Sequence, residues 1–87
     1  MDFVKVGEKD GNIILADQDG NRAVFEFLEM TVIDQTEYAA LLQTDDECLV
    51  LLRFAEGANG KEVYSTIDDD ALFDRVAAAF EEIFDED

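Results

Sequence analysis

From Asn12 onward, short apolar runs alternate with polar positions and are separated by breaks rich in Asp, Asn and Gly. This pattern predicts a succession of antiparallel strands. Two triplets, Asp10-Gly11-Asn12 and Asp19-Gly20-Asn21, flank the run Ile13-Ile14-Leu15-Ala16. Asp-Gly supplies the positive φ angles that tight hairpin turns require, so a strand is expected at 12–16, a turn at 17–20 and a partner strand at 21–27. In that partner Ala23, Phe25 and Phe27 alternate with Arg22, Val24 and Glu26. The phase then slips, because Leu28, Met30 and Val32 carry the apolar set onto even numbers. A β-bulge or a break into a new strand keeps both sets on the core face. Asp34-Gln35-Thr36 makes the next turn, residues 37–43 return as a strand, and Thr44-Asp45-Asp46-Glu47 is a polar connection. Residues 48–54 are the most continuously apolar and are expected to form a central strand covered on both faces for part of its length. A turn at Gly57-Ala58-Asn59-Gly60 leads to a closing strand at 61–66.

The periodicity then changes to that of a helix. Leu72, Phe73, Val76, Ala77, Phe80, Ile83 and Phe84 form one apolar stripe. Asp68 is the expected N-cap, and Ile67 and Leu72 form a staple across the first turn. Asp85-Glu86-Asp87 opposes the helix dipole, so the last turn is expected to fray. The predicted fold is α+β, an antiparallel meander sheet of about five strands with one C-terminal amphipathic helix packed on one face. Residues 1–87 are read as a single small acidic domain.

Composition sharpens the functional side of this picture. The 87 residues carry 23 acids against 6 bases, a formal charge of −17. Nucleic-acid phosphates and anionic membranes are repelled by such a chain, while cations and basic protein surfaces are attracted. Enough apolar material is present for a core, at 48% of residues with seven Phe. The lone Cys48 excludes an intramolecular disulfide and, in its apolar run with no base nearby, is expected to be a buried small hydrophobe. Neither a signal peptide nor a membrane-spanning run is read from the chain, so a cytoplasmic location is expected. Histidine is absent and Ser65 is the only serine. No Ser-His-Asp or Cys-His arrangement can be assembled from these residues, and four soft zinc ligands are not available. Gly57-Ala58-Asn59-Gly60-Lys61 lacks the spacing of a phosphate-binding loop. Asp17, Asp19, Gly20 and Glu26 partly match a calcium loop, but the first ligand position falls on Leu15 and strands flank the segment, so a hairpin turn is preferred. No catalytic, cofactor-binding or metal-binding residue is assigned.

The remaining candidate is the polar face of the helix, with Asp70, Asp74, Glu81, Glu82 and Asp85. Arg75 is the helix's only base, and its helical neighbours Ala71, Leu72, Ala78 and Ala79 offer no partner. Two readings of this face stay open, a solvating surface and a docking surface for a basic protein partner. The expected function is a non-enzymatic protein-interaction module. The alternative is divalent-cation binding through clustered carboxylates such as Asp68-Asp69-Asp70 or Asp45-Asp46-Glu47.

The order of elements, together with Ile14-Leu15-Ala16-Asp17-Gln18-Asp19-Gly20-Asn21, Phe25-Glu26-Phe27-Leu28, Glu37-Tyr38-Ala39-Ala40-Leu41-Leu42 and Val76-Ala77-Ala78-Ala79-Phe80-Glu81-Glu82-Ile83, resembles the YrzB-like family, domain of unknown function 1292. The resemblance covers nearly the whole chain and implies a small acidic bacterial cytoplasmic protein. It brings no catalytic residues with it. Genes of that family often stand near one for a Holliday-junction-resolvase-like nuclease, so the resemblance implies a nucleic-acid-processing protein as one class of partner.

Overall fold

The computed structural model describes residues 1–85. Among them six strands precede one helix: β1 (Asp2–Lys9), β2 (Asn12–Ala16), β3 (Arg22–Ile33), β4 (Thr36–Gln43), β5 (Cys48–Glu56), β6 (Glu62–Thr66) and α1 (Asp70–Asp85). Each strand pairs antiparallel with the next, and β1 returns to pair with β6 through Asp2↔Ser65, Phe3↔Tyr64 and Val4↔Val63. The sheet is therefore a closed barrel of six strands, which corrects the open meander of about five. The strand missing from the sequence reading is β1. Its inward phase carries Lys5, opposite the buried Leu15, and a bulge between Lys5 and Gly7 breaks the alternation. The α+β class and the C-terminal helix stand.

Turn chemistry sets the hairpins. Gly11 (φ 86°), after Asp10 (φ 53°), takes the left-handed conformation that the β1–β2 turn needs. At the β2–β3 turn the Asp17 carboxylate accepts the amides of Asp19 and Asn21, each at 2.9 Å, as an Asx turn. This is the expected hairpin. Asp34 (φ 50°) and Gln35 (φ 70°) form the β3–β4 turn. The phase slip in β3 is a bulge, with Phe27 opposite Leu41 and Glu29 opposite Ala40 while Leu28 has no cross-strand partner.

Two apolar clusters lie on either side of β4. Inside the barrel Ile13, Leu15, Phe25, Ala39, Leu41, Leu52 and Tyr64 pack together. Outside it Tyr38, Ala40 and Leu51 meet Val76 and Phe80 of α1. Four consecutive residues of β4, from Tyr38 to Leu41, are buried because both faces are covered. The strand with the longest run covered on both sides is thus β4, over four of its eight residues, and β5 is so only at Leu51 and Leu52. Ala39 and Ala40 provide the small volumes that let the barrel core and the helix approach one strand at once.

The helix begins one residue later than its expected cap. Asp69 Oδ1 accepts the amides of Ala71 (2.9 Å) and Leu72 (3.2 Å), so Asp69, not Asp68, is the N-cap. Ile67 and Leu72 both pack against the outer cluster, but with Asp69 as the cap they stand two residues before it and at the third helical position, so they are not the expected staple pair. Glu86 and Asp87, part of the expected fraying turn, lie outside the described residues. Cys48 is exposed at the start of β5, which corrects its reading as a core residue. A strand's first residue lies at the barrel mouth, where the neighbouring apolar run does not bury it. No helix is long and apolar enough to cross a membrane among the described residues.

Candidate functional site

A helix lying on a barrel can bury only the strip that meets the underlying strand. In α1 that strip is Val76 and Phe80, with Leu72, Ala77 and Ile83 half-buried beside them. Phe73 and Phe84 are 42% and 47% exposed, so the apolar stripe is wider than its seat. Phe84 stacks on Phe80 with ring centroids 6.1 Å apart and leaves its outer side open.

All five predicted site residues are exposed. At about 100° per residue, Asp70, Asp74, Glu81 and Asp85 fall within an arc of about 60° on the side away from Val76. Glu82 sits about 60° beyond that arc, on the far flank. Phe73, Ala77 and Phe84 lie between the buried strip and this acidic row. The helix therefore presents four carboxylates edged by two exposed aromatic rings. The rings are the part of the site that sequence reasoning missed. Spacing placed them on the stripe, and only the narrow seat over Ala40 and Leu51 shows that they stay outside.

Arg75 does not neutralise the row. Its guanidinium pairs with Asp34 of the β3–β4 turn at 3.1 Å, with both side chains largely exposed. The contact ties the helix to a hairpin tip. The other ion pairs among the described residues lie at the barrel end with the β1–β2 turn, where Lys5 Nζ meets Glu8 (2.8 Å) and Glu62 (3.1 Å). Hydrogen bonds donated to the Glu8 and Glu62 carboxylates hold the Lys5 ammonium above its ordinary pKa, and the bond accepted from Lys5 holds the Glu8 carboxyl below its own. Tyr64 donates its hydroxyl to Glu62 at 3.3 Å. Burial in the barrel, then the neighbouring Glu62 charge, pushes its phenol up to about 12.

The carboxylate clusters considered for cations are accounted for locally. Asp69 caps α1, and Asp45, Asp46 and Glu47 form the exposed β4–β5 turn. Among the described residues no three Cys, Asp or Glu side chains gather closely enough to hold a metal ion.

Residues 18–85 match the family described as "Protein of unknown function (DUF1292)". A UPF0473 protein of Heliobacterium modesticaldum is 42% identical over 82 residues, covering 92% of each chain. One from Pelotomaculum thermopropionicum is 34% identical over 82 residues, covering 92% of this chain and 94% of its own. Another, from Clostridium botulinum strain Loch Maree, is 32% identical over 77 residues, or 86% of this chain and 91% of its own. No solved structure matches. The match spans β3 to β6 and the whole of α1, the elements that build and seat the acidic helix face, and the chain belongs to the DUF1292 family.

Proposed function

We propose that this chain is a non-enzymatic interaction module of the cytoplasm, a single domain whose α1 face receives a basic protein segment. One observation carries the reading: Phe73 and Phe84 stand exposed beside Asp70, Asp74, Glu81 and Asp85 on a helix whose only arginine is engaged elsewhere. Apolar anchors beside unneutralised charge are the features of a binding face, since the rings supply contact area and the charges steer encounter. The partner is a basic segment with apolar residues among its Lys and Arg. Direct binding to nucleic acid is opposed by the net charge of −17.

The test is affinity capture from the native cytoplasm with the wild-type chain, an Asp74→Lys/Glu81→Lys variant and a Phe73→Ser/Phe84→Ser variant. Both variants change exposed positions and should keep the fold. Partners recovered by the wild type should be lost from each, and binding should weaken with added salt. Equal recovery by all three chains sinks the reading.

A further inference from the structure

At the end that carries the β2–β3 turn the barrel mouth is a recess half open to solvent, floored by the buried Leu15 and Leu52. There a cavity of about 230 Å³ opens among Phe3, Leu15, Ala23, Phe25, Val50 and Leu52. Ala23 is the smallest of these, at the inward position opposite Leu15. Protein interiors are close-packed, and a dry apolar cavity of about 150 Å³ already takes up benzene. The space here suits a compact molecule of one ring or a short branched chain.

Charge decides the polar end of that molecule. Asp17 stands at the mouth, where its Oδ1 accepts the Asp19 and Asn21 amides while Oδ2 takes only the Asn21 side chain at 3.3 Å. Desolvation works against the ionised carboxyl, but the hydrogen bonds from Asn21, Asp19 and Gly20 outweigh it and hold its pKa below the usual value. Arg22 also borders the mouth, but it alternates with Ala23 and Phe25, whose side chains face the interior, and it is itself exposed. The field of the whole chain concentrates cations, and Phe3 and Phe25 offer aromatic walls that tolerate them. We propose that this cavity is a binding site for a small apolar amine, its body among Phe3, Leu15, Phe25, Val50 and Leu52 and its ammonium toward Asp17.

Three near-isosteric probes test the assignment, benzylamine, benzyl alcohol and benzoate. Each is titrated into the methyl-labelled full chain and followed by NMR. Benzylamine should shift the Leu15, Val50 and Leu52 methyls saturably. It should bind about threefold to fivefold tighter than benzyl alcohol, the worth of a solvent-accessible ion pair, and benzoate should bind weakest. Asp17→Asn keeps an oxygen acceptor for the turn amides and should reduce benzylamine to the level of the alcohol. Ala23→Leu should fill the cavity and abolish binding of all three; the Asp17→Asn comparison stands even where that variant does not fold. Equal affinity for amine and alcohol, tightest binding by benzoate, or shifts confined to α1 would each overturn the proposal.

Discussion

Phe80→Ala removes the side chain that seats α1 on the barrel. Phe80 is 2% exposed and packs with Val76 against Tyr38, Ala40 and Leu51. Truncating a buried phenylalanine costs about 3–5 kcal/mol, and the stacked Phe84 ring loses its partner as well. A chain of this size has only about 5–15 kcal/mol of stability, so the variant should be close to its margin. Each kcal/mol moves the midpoint of a domain this small by roughly 4–8 °C, so a drop on the order of 20 °C is expected. Phe73→Ala is the matched control. It removes an identical ring four residues into the helix, but from a position 42% exposed, and should cost less than about 1 kcal/mol. Urea unfolding can be followed by helical circular dichroism and by tyrosine fluorescence, since Tyr38 lies under α1 and Tyr64 inside the barrel. Equal losses in the two variants, or a Phe80→Ala midpoint close to wild type, would show that the helix is not seated on that strip.

The thermal midpoint should rise as salt is added, because 23 acids face 6 bases and screening relieves their repulsion; a flat response in differential scanning calorimetry would contradict this. Asp69→Ala should cost about 1 kcal/mol in chemical denaturation by removing the cap, while Asp68→Ala should be nearly neutral; the reverse order would move the helix start. For Tyr64 the folded pKa lies above the unfolded value of 10.0, at about 12. Its contribution is therefore complete below pH 10 and is lost as pH climbs toward 12. That loss is on the order of a few kcal/mol at most. Tyr64→Phe should flatten the alkaline decline in stability, with a remainder from Lys5, whose raised pKa acts in the same direction; an unchanged slope would place the phenol in water.

What the sequence made legible follows from how local each cause is. The turn at residues 17–20 and the reversal at Asp34 and Gln35 are written in adjacent residues and could be read directly, while the phase slip at Leu28 marked either a bulge or a strand break. The strand β1 could not, because Lys5 becomes an acceptable inward residue only when Glu62, far along the chain, arrives beside it. Three successive aspartates all satisfy the cap rule, so choosing Asp69 over Asp68 needed the backbone. The acidic residues of α1 are exposed, as helical spacing alone implies. Periodicity gives the width of a helix's apolar stripe but not the width of the strand beneath it, which hid the exposure of Phe73 and Phe84. The cavity was illegible for a similar reason, since it is a property of inward phases from several strands meeting, and an alanine at position 23 carries no local signal.

The seam between β1 and β6 has a consequence for how the chain is made. Every other strand pair joins consecutive elements and can form as soon as both have emerged, but Asp2 must wait for Ser65. At synthesis rates of roughly 5–20 residues per second, that wait lasts on the order of 3–13 s. Throughout it, the nascent sheet has two free edges, the arrangement most prone to pairing with another chain. Surplus negative charge on every copy then acts as a chaperone of sorts, holding half-built sheets apart until the first strand and the last can meet.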